Sequence, residues 1–232
     1  MSKPASDIAW FQPASDQSLL VYLGQEITLE THQHVIKLLR LLEREPIAGV
    51  CDLHPAYCSL LIQFDPLKSS HAEVEQILRS YLHRLEEVHL PNQRQIQIPV
   101  CYGGDYGPDL NDVSATLGIT PIQAVELHAS VDYIVYFLGF VPGFAYLGEL
   151  PKTLMAPRLS TPRRSVPRGS VGIAGTQTGV YPFATPGGWR LIGRTPLAMF
   201  RAGENATSLL SIGDRVRFLP ISSKRFQELE NA

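Results

Sequence analysis

Residues 157–182 have the sequence PRLSTPRRSVPRGSVGIAGTQTGVYP, and residues 185–195 continue with TPGGWRLIGRT. Short apolar runs alternate here with glycine and proline, which end strands and set turns. Outward from this stretch, short β-like runs recur at 134–140, 171–174, 189–192, 198–200 and 216–219. Short strands separated by turn residues are typical of a closed or nearly closed β-barrel.

The first ninety residues show a different pattern, in which strand and helix signals alternate. The predicted elements are strands at 19–23, 50–53 and 59–64, a helix that begins near Thr28 or Thr31, and a second helix from the capping-box pair Ser70 and Glu73. The order is β-α-β-β-α, which predicts a small α+β domain over residues 1–90. The polar, proline-containing stretch 90–94 marks a joint, so we expect the β-barrel domain to occupy residues 91–232.

Two short helices are expected early in the second domain. Residues 109–117 end at Gly118, where glycine can take the left-handed cap, and Thr120 and Gln123 then stand at capping-box spacing around Pro121. An alternating strand over residues 96–100 precedes them. Helices therefore accompany the predicted barrel.

Composition limits the class of protein. The formal net charge is −2 over 232 residues, which argues against general nucleic-acid binding. The N-terminal MSKPASDIAWFQPAS lacks the apolar run of a signal peptide and no later stretch is long and apolar enough for a membrane span, so a cytoplasmic protein is expected. Three cysteines without a CxxC pair predict reduced thiols.

Positive charge is concentrated in one region of this nearly neutral chain. Seven arginines lie between Arg158 and Arg201, whereas no Asp or Glu lies between Leu150 and Gly203. Arginine, tyrosine and backbone amides on rigid turns are groups that bind carboxylate or phosphate oxygens. An anion-binding surface in this region is therefore one interpretation, and solvated arginines on barrel turns are the other.

Aromatic residues frame two glycine turns in the same region. Pro142 and Gly143 suit the central positions of a type II turn, and we expect Pro186-Gly187-Gly188-Trp189 to form a similar tight turn that presents a large aromatic ring. Residues 175–181 are expected to form a loop of small residues that allows a ligand to approach the backbone. The predicted cleft or partner surface consists of Phe140, Pro142, Gly143, Phe144, Tyr146, Pro186, Gly187, Gly188 and Trp189.

These motifs, together with PAYCSLLIQFD at 55–65, PVCYGGDYGPDL at 99–110 and GDRVRF at 213–218, resemble the family of the B subunit of bacterial 5-oxoprolinase. That family also covers a sporulation histidine-kinase inhibitor and the first component of allophanate-hydrolase-type proteins. The resemblance extends over nearly the whole chain. It implies a small α+β domain followed by a cyclophilin-like β-barrel. It also implies action with 5-oxoprolinase subunits A and C, which together open 5-oxoproline to glutamate with ATP hydrolysis.

The chain lacks several groups that this chemistry requires. It has no GxxxxGK[ST] loop, so ATP is expected to be shared with a partner subunit. No metal cluster is apparent, because all seven histidines precede Ala129 and none has a second ligand at suitable spacing. Surface or helix-face roles are expected for the histidines, with His54 and His128 as marginal candidates because they match family positions. No catalytic residue can be assigned, and little activity is expected of the chain alone.

Our hypothesis is that Arg158, Arg163 and Arg194 bind a substrate carboxylate or a nucleotide phosphate at an interface completed by the C subunit. Gln177, Thr178 and Tyr181 would add hydrogen-bond groups. The alternatives are a regulatory protein that inhibits a sensor histidine kinase and a component of a urea- or allophanate-type amidohydrolase. Prolyl isomerisation is disfavoured, since fold likeness alone does not carry function.

Overall fold

A computed structural model of the chain describes residues 8–231. These residues separate into two units, the first ending at Asn92 and the second beginning at Gln93. The first seven residues, which open the stretch considered above for a signal peptide, lie outside the described residues.

The first unit is a four-stranded antiparallel sheet with two helices. Its strands are β1 (Trp10–Ser15), β2 (Ser18–Tyr22), β3 (Val50–Pro55) and β4 (Ser59–Phe64), and its helices are α1 (Leu29–Arg44) and α2 (His71–Leu82). The strand order is β1-β2-β4-β3. The expected β-α-β-β-α order is therefore wrong by one strand, because β1 precedes it.

The chemistry of β1 explains why sequence patterning missed it. The strand is largely exposed, contains Pro13 and pairs only with β2 at the sheet edge. Proline is tolerated in such an edge strand because no strand on its outer side needs a hydrogen bond from the N–H that proline lacks. A largely exposed strand interrupted by proline has no clear alternation of apolar and polar residues.

The helix starts follow from the capping residues found in the sequence. Thr28 accepts from the backbone N–H of Thr31, and Ser70 and Glu73 form a complete capping box. Each cap satisfies N–H groups that the first helical turn leaves without partners. Both helices turn apolar residues inward, among them Leu38 of α1 and Leu78 of α2.

The second unit contains eleven strands, three α-helices and two short 3₁₀ helices (Gly104–Tyr106 and Lys152–Leu154) among its described residues. Its helices are α3 (Leu110–Leu117), α4 (Pro121–Ala129) and α5 (Ser223–Glu230). Its strands are β5 (Gln95–Tyr102), β6 (Tyr133–Leu138), β7 (Ala145–Gly148), β8 (Arg163–Val166), β9 (Ser170–Ala174), β10 (Gln177–Val180), β11 (Thr185–Gly187), β12 (Arg190–Arg194), β13 (Phe200–Arg201), β14 (Thr207–Ser208) and β15 (Arg215–Pro220). Gly118 ends α3 in the left-handed conformation, and Thr120 opens α4 with a capping box, both as predicted.

Seven strands close into a barrel in the order β10-β7-β6-β15-β5-β12-β9. The strand pairs of the barrel are antiparallel except for β5 and β15. These two strands run parallel, and their pairing begins with Gln95 opposite Arg215. The predicted fold class, an α+β domain followed by a β-barrel, is confirmed. Closure removes exposed edges from the barrel sheet.

Three local predictions in this unit are wrong. Residues 177–180 form barrel strand β10, so most of the loop expected at 175–181 is strand, with a turn at Gly175 and Thr176. Pro186 and Gly187 belong to the short strand β11, which pairs with β8. The run at 198–200 contributes only Phe200 to a two-stranded ribbon outside the barrel. In each case strand pairing decides the conformation.

The second unit has two apolar clusters. The larger fills the barrel, and a smaller one contains Phe144, Val166, Ala174, Tyr181, Trp189 and Leu191. The cysteines are free thiols: Cys51 is exposed, Cys58 half-buried and Cys101 buried. Within residues 8–231, no helix combines the length and apolar character needed to cross a bilayer.

Candidate functional site

The smaller cluster forms the floor of a pocket of about 220 Å³, which we call the aromatic groove. Its lining is Phe140, Phe144, Tyr146, Arg158, Pro162, Tyr181, Pro186, Gly187, Gly188 and Trp189. The groove thus brings together seven of the nine residues of the predicted cleft surface. An apolar pocket with one cation at its side is a common form of small-molecule site.

The other two residues of that surface, Pro142 and Gly143, form the turn that adjoins the groove. This turn matches the prediction: the N–H of Phe144 donates to the carbonyl of Val141 at 3.0 Å, and Gly143 has a φ of 81°. Glycine is required at this position because a Cβ would lie 2.5 Å from Cβ of Phe200. The turn therefore holds residues 140 and 144 on the groove.

Phe140 has an unusual backbone conformation. Its φ is 68°, and the N–H of Val141 donates to the carbonyl of Gly139 at 2.8 Å, which closes a γ-turn around Phe140. A bulky residue in this region carries backbone strain and is uncommon. The side chain is nevertheless 59% exposed. The strained turn thus presents an aromatic ring to solvent beside the groove.

Phe144 is the centre of the aromatic floor. Its ring contacts those of Tyr146, Tyr181 and Trp189 at centroid distances of 5.0, 5.2 and 5.4 Å, and all three contacts are edge-to-face. The exposed Phe140 ring lies 5.6 Å from Phe144 in the same geometry. Edge-to-face packing is a favoured arrangement of aromatic pairs and keeps each ring in a defined orientation. The floor is therefore pre-formed.

Arg158 supplies positive charge to the groove. It is exposed, and within the described part of the chain it has no hydrogen-bond or ion-pair partner. Burial raises the pKa of Tyr146, and the Arg158 charge opposes that shift. Burial likewise raises the pKa of Tyr181, against a backbone hydrogen bond from Trp189 and the charge of Arg158. Arg158 is thus a free cation next to two phenol groups.

Tyr181 is packed against the opposite wall of the groove. A Cβ added to Gly187 would lie 2.5 Å from the Tyr181 hydroxyl, so only glycine allows this approach. The same addition at Gly188 would meet nothing closer than 3.6 Å. Tyr181 itself is buried, which places its hydroxyl at the base of the groove.

Arg163 lies on β8 and forms an ion pair with Asp109. Its Nη2 donates to Oδ1 of the buried Asp109 at 2.6 Å, and Oδ2 of Asp109 accepts from the N–H of Leu191 at 2.7 Å. The role of Asp109 is not predictable from the sequence, because nothing in its position before α3 indicates a partner 54 residues later. Arg163 is therefore not a free cation like Arg158.

The other predicted anion ligands lie outside the groove lining. Arg194 donates from Nε to the carbonyl of Arg168 at 2.8 Å, and its Nη2 lies 4.0 Å from Glu230 of α5. Gln177 and Thr178 belong to barrel strand β10, and Thr178 is buried. Of the six predicted ligands, the groove lining contains Arg158 and Tyr181.

Thr178 belongs to a polar network inside the barrel. Its Oγ1 donates to the carbonyl of Gly172 at 3.0 Å and lies 2.9 Å from Nε2 of His128. Since the Thr178 hydrogen is used, Nε2 carries the His128 proton and Nδ1 accepts from the Tyr102 hydroxyl at 2.7 Å. Burial lowers the pKa of His128 to about 3. Of the two expected roles, surface or helix face, only the second applies, because His128 is a neutral core residue on the buried face of α4.

His54, the other marginal histidine, lies in the first unit. Its Nε2 is 3.2 Å from Oδ2 of Asp52, and both side chains are more than half exposed. Among residues 8–231, no group of three His, Cys, Asp or Glu side chains could hold a metal ion. The lining of the aromatic groove likewise contains no His, Asp or Glu, so it offers ligand binding but no general base.

Comparisons with known proteins agree with the resemblance found in the sequence. Residues 9–210 match the carboxyltransferase domain family, subdomains C and D. The chain belongs to this family. Its relatives include the 5-oxoprolinase B subunit of Bacillus subtilis (strain 168), 41% identical over 221 residues that cover 91% of this chain and 92% of the relative. The corresponding protein of Escherichia coli O157:H7 is 42% identical over 205 residues, 88% of this chain and 93% of the relative.

Solved structures show the same fold. The crystal structure of TTHA0988 superposes with a TM-score of 0.78 at 35% identity, over 90% of this chain and 40% of that chain. The Kluyveromyces lactis urea amidolyase superposes with a TM-score of 0.76 at 19% identity, over 95% of this chain and 15% of that chain. The second likeness shows a shared fold alone.

Proposed function

We propose that the chain is the B subunit of an ATP-dependent 5-oxoprolinase, which opens 5-oxo-L-proline to L-glutamate together with subunits A and C. The proposal draws on two proteins of that name, which are 41% and 42% identical to this chain over 91% and 88% of its length. Alone, the chain has little or no activity. The groove binds substrate, and the partners supply the catalytic groups that its lining lacks.

The observation that carries the proposal is the free Arg158 guanidinium beside a pre-formed aromatic groove. The substrate is a small flat lactam ring that bears one carboxylate. Aromatic walls suit the ring, and a guanidinium can bind a carboxylate through two parallel hydrogen bonds. Tyr146 and Tyr181 provide hydroxyl groups near the same charge. The groove thus matches each part of the substrate.

The reaction explains why partners are required. ATP transfers its terminal phosphoryl group to the lactam oxygen, and ADP leaves. Water then attacks the activated carbon and the ring C–N bond breaks, which gives an acyl phosphate. A second water hydrolyses the acyl phosphate to glutamate and phosphate. Negative charge that develops on the transferred oxygens needs fixed cationic donors, and the water needs a base. Both needs fall to the partner chains, because Arg158 binds the carboxylate and Arg163 is paired with Asp109.

Reconstitution tests this proposal directly. The purified chain is mixed with subunits A and C, ATP and 5-oxoproline, and glutamate and phosphate are measured with each protein omitted in turn. We expect glutamate only from the complete mixture. No glutamate from the complete mixture would overturn the proposal, as would an undiminished rate when this chain is left out.

A regulatory role is the second candidate, and Phe140 is the observation that favours it. An aromatic side chain that is 59% exposed on a strained turn is suited to contact a partner protein. In this alternative the chain binds and inhibits a sensor histidine kinase. The measurement is kinase autophosphorylation with and without the chain, with a Phe140→Ala variant as the matched control. Undiminished autophosphorylation at a large excess of the chain would exclude it.

A further inference from the structure

Tyr181 is held at both ends of its side chain in the aromatic groove. Its ring contacts that of Phe144 edge to face at a centroid distance of 5.2 Å. Its oxygen accepts a hydrogen bond from the backbone N–H of Trp189. The hydroxyl end also packs on Gly187, where an added Cβ would lie 2.5 Å from the oxygen. The position of the hydroxyl is therefore set before a ligand binds.

The Tyr181 hydroxyl can donate a hydrogen bond to a ligand. A phenol oxygen carries one hydrogen, and the N–H of Trp189 already occupies an acceptor position on that oxygen. Burial raises the pKa of Tyr181, so the hydrogen stays in place at neutral pH. Tyr181 lines the groove together with Gly187, the residue against which its hydroxyl packs. The groove therefore offers one oriented, uncharged donor.

The groove has a cation but no anion. Arg158 is exposed in its lining, close enough to Tyr181 for its charge to oppose the rise of that pKa. Within the described chain, the groove lining contains no Asp or Glu. A carboxylate is therefore favoured beside Arg158, whereas an ammonium group there would be repelled without a compensating partner. The groove suits an acid that carries no amine.

We propose that Tyr181 is the residue that makes the aromatic groove select a cyclic amide acid over the corresponding amino acid. Its hydroxyl donates to the ring carbonyl oxygen of a ligand whose carboxylate Arg158 binds. This inference rests on the proposed function and assigns the group that recognises the lactam. A carbonyl oxygen has two lone pairs, so the second stays free for phosphoryl transfer.

The same selection applies to the reaction product. Opening the lactam converts its uncharged ring nitrogen into an amine next to the carboxylate, and this amine is protonated at neutral pH. Glutamate therefore brings an ammonium group beside Arg158, in a lining without a carboxylate. We expect glutamate to compete poorly with 5-oxoproline for the groove.

A series of five-membered ring acids tests the inference. The probes are 5-oxoproline, cyclopentanecarboxylate, which lacks the amide, and proline, which carries an ammonium group. Binding to the full chain is followed by Trp189 fluorescence in a Trp10→Phe background, since these are the two tryptophans of the chain. The variant is Tyr181→Phe. Tyr106→Phe is the matched control, because Tyr106 is half-buried and outside the groove lining.

The wild type should bind 5-oxoproline about tenfold more tightly than cyclopentanecarboxylate, and proline more weakly than either. An apolar groove without the donor would prefer cyclopentanecarboxylate, because burying an amide without a partner costs free energy. Tyr181→Phe should weaken 5-oxoproline binding about tenfold and change cyclopentanecarboxylate binding less than about twofold. Tyr106→Phe should change neither.

Either of two results would overturn the inference. The first is a wild-type chain that binds 5-oxoproline no more tightly than cyclopentanecarboxylate, and this measurement decides even where Tyr181→Phe does not fold. The second is an equal loss of both ligands in a Tyr181→Phe variant whose melting temperature matches that of the wild type.

Reconstitution separates this inference from the proposed function. In the complete mixture with subunits A and C, Tyr181→Phe should raise KM for 5-oxoproline about tenfold. Glutamate formation with an unchanged KM in Tyr181→Phe would keep the proposed function and overturn the role of Tyr181. The expected binding order without glutamate from the complete mixture would support the role of Tyr181 and overturn the proposed function.

Discussion

The hydroxyl of Tyr102 lies 2.7 Å from Nδ1 of His128 inside the barrel, and His128 has no exposed surface. The His128 ring also stacks on Phe218 at a centroid distance of 4.5 Å. Within residues 8–231 no carboxylate is bonded to the ring, so nothing offsets the cost of burying a positive charge. The network requires neutral histidine, which makes the barrel sensitive to acid.

The first prediction is a pH dependence of stability. The His128 pKa is lowered to about 3 in the folded chain from 6.5, so the unfolded chain binds more protons between these values. The contribution of neutral His128 to the free energy of unfolding is fully present above pH 6.5. It falls as the pH drops toward 3, by up to about 1.4 kcal/mol per pH unit.

Urea unfolding followed by Trp189 fluorescence in a Trp10→Phe background at several pH values measures this slope. His128→Gln should unfold at lower urea at neutral pH but lose much of the pH dependence. His34, whose pKa burial also lowers, contributes with the same sign in the first unit, so the quantity to compare is the slope difference between variant and wild type. His89→Gln is the exposed control. Equal slopes in His128→Gln and wild type would refute the prediction.

The second prediction concerns the strain at Phe140. Phe140→Gly should raise the free energy of unfolding by about 1 kcal/mol, because glycine accepts a φ of 68° without strain. Phe140→Ala keeps the strain and removes the ring. Both variants should bind a partner protein more weakly. Calorimetric melting and a pull-down with the C subunit are the measurements, and equal stability of the two variants would contradict the account of strain.

The third prediction compares two adjacent glycines. Gly187→Ala should destabilise the second unit by about 1–3 kcal/mol, since its Cβ would displace the Tyr181 hydroxyl. Gly188→Ala should be tolerated, because its nearest neighbour is Pro162 at 3.6 Å. Thermal melting gives both values. Similar melting temperatures for the two variants would show that the groove wall can move.

The fourth prediction concerns Arg158. In the reconstituted complex, Arg158→Ala should raise KM for 5-oxoproline about tenfold or more, because a charge-assisted bond to the carboxylate is lost. The melting temperature should hardly change, since Arg158 has no partner within residues 8–231. Arg164→Ala, also exposed but outside the groove lining, is the control. A wild-type KM in Arg158→Ala would exclude Arg158 as the carboxylate ligand.

Much of the local structure was predictable because it depends on nearby residues. The capping boxes at Ser70 and Thr120 and the turn at Gly143 follow from side chains within four positions of each other. Strand β1 was missed because an exposed edge strand lacks the alternation that marks a buried one. The strand β10 was missed because its glycine and threonine indicate a loop until pairing with β7 and β9 is known.

The sequence by itself determined the two-part architecture, the family and the region in which a site was to be sought. Apolar periodicity, helix caps and turns depend on residues that are close together in the sequence, and the excess of arginine is a feature of the composition. Tertiary structure alone decided which arginines are free. Arg163 is bound by Asp109, Arg194 by the carbonyl of Arg168, and Arg158 by no described residue. The physical reason is that an ion pair depends on distance in space, and barrel closure brings together groups that are far apart along the chain.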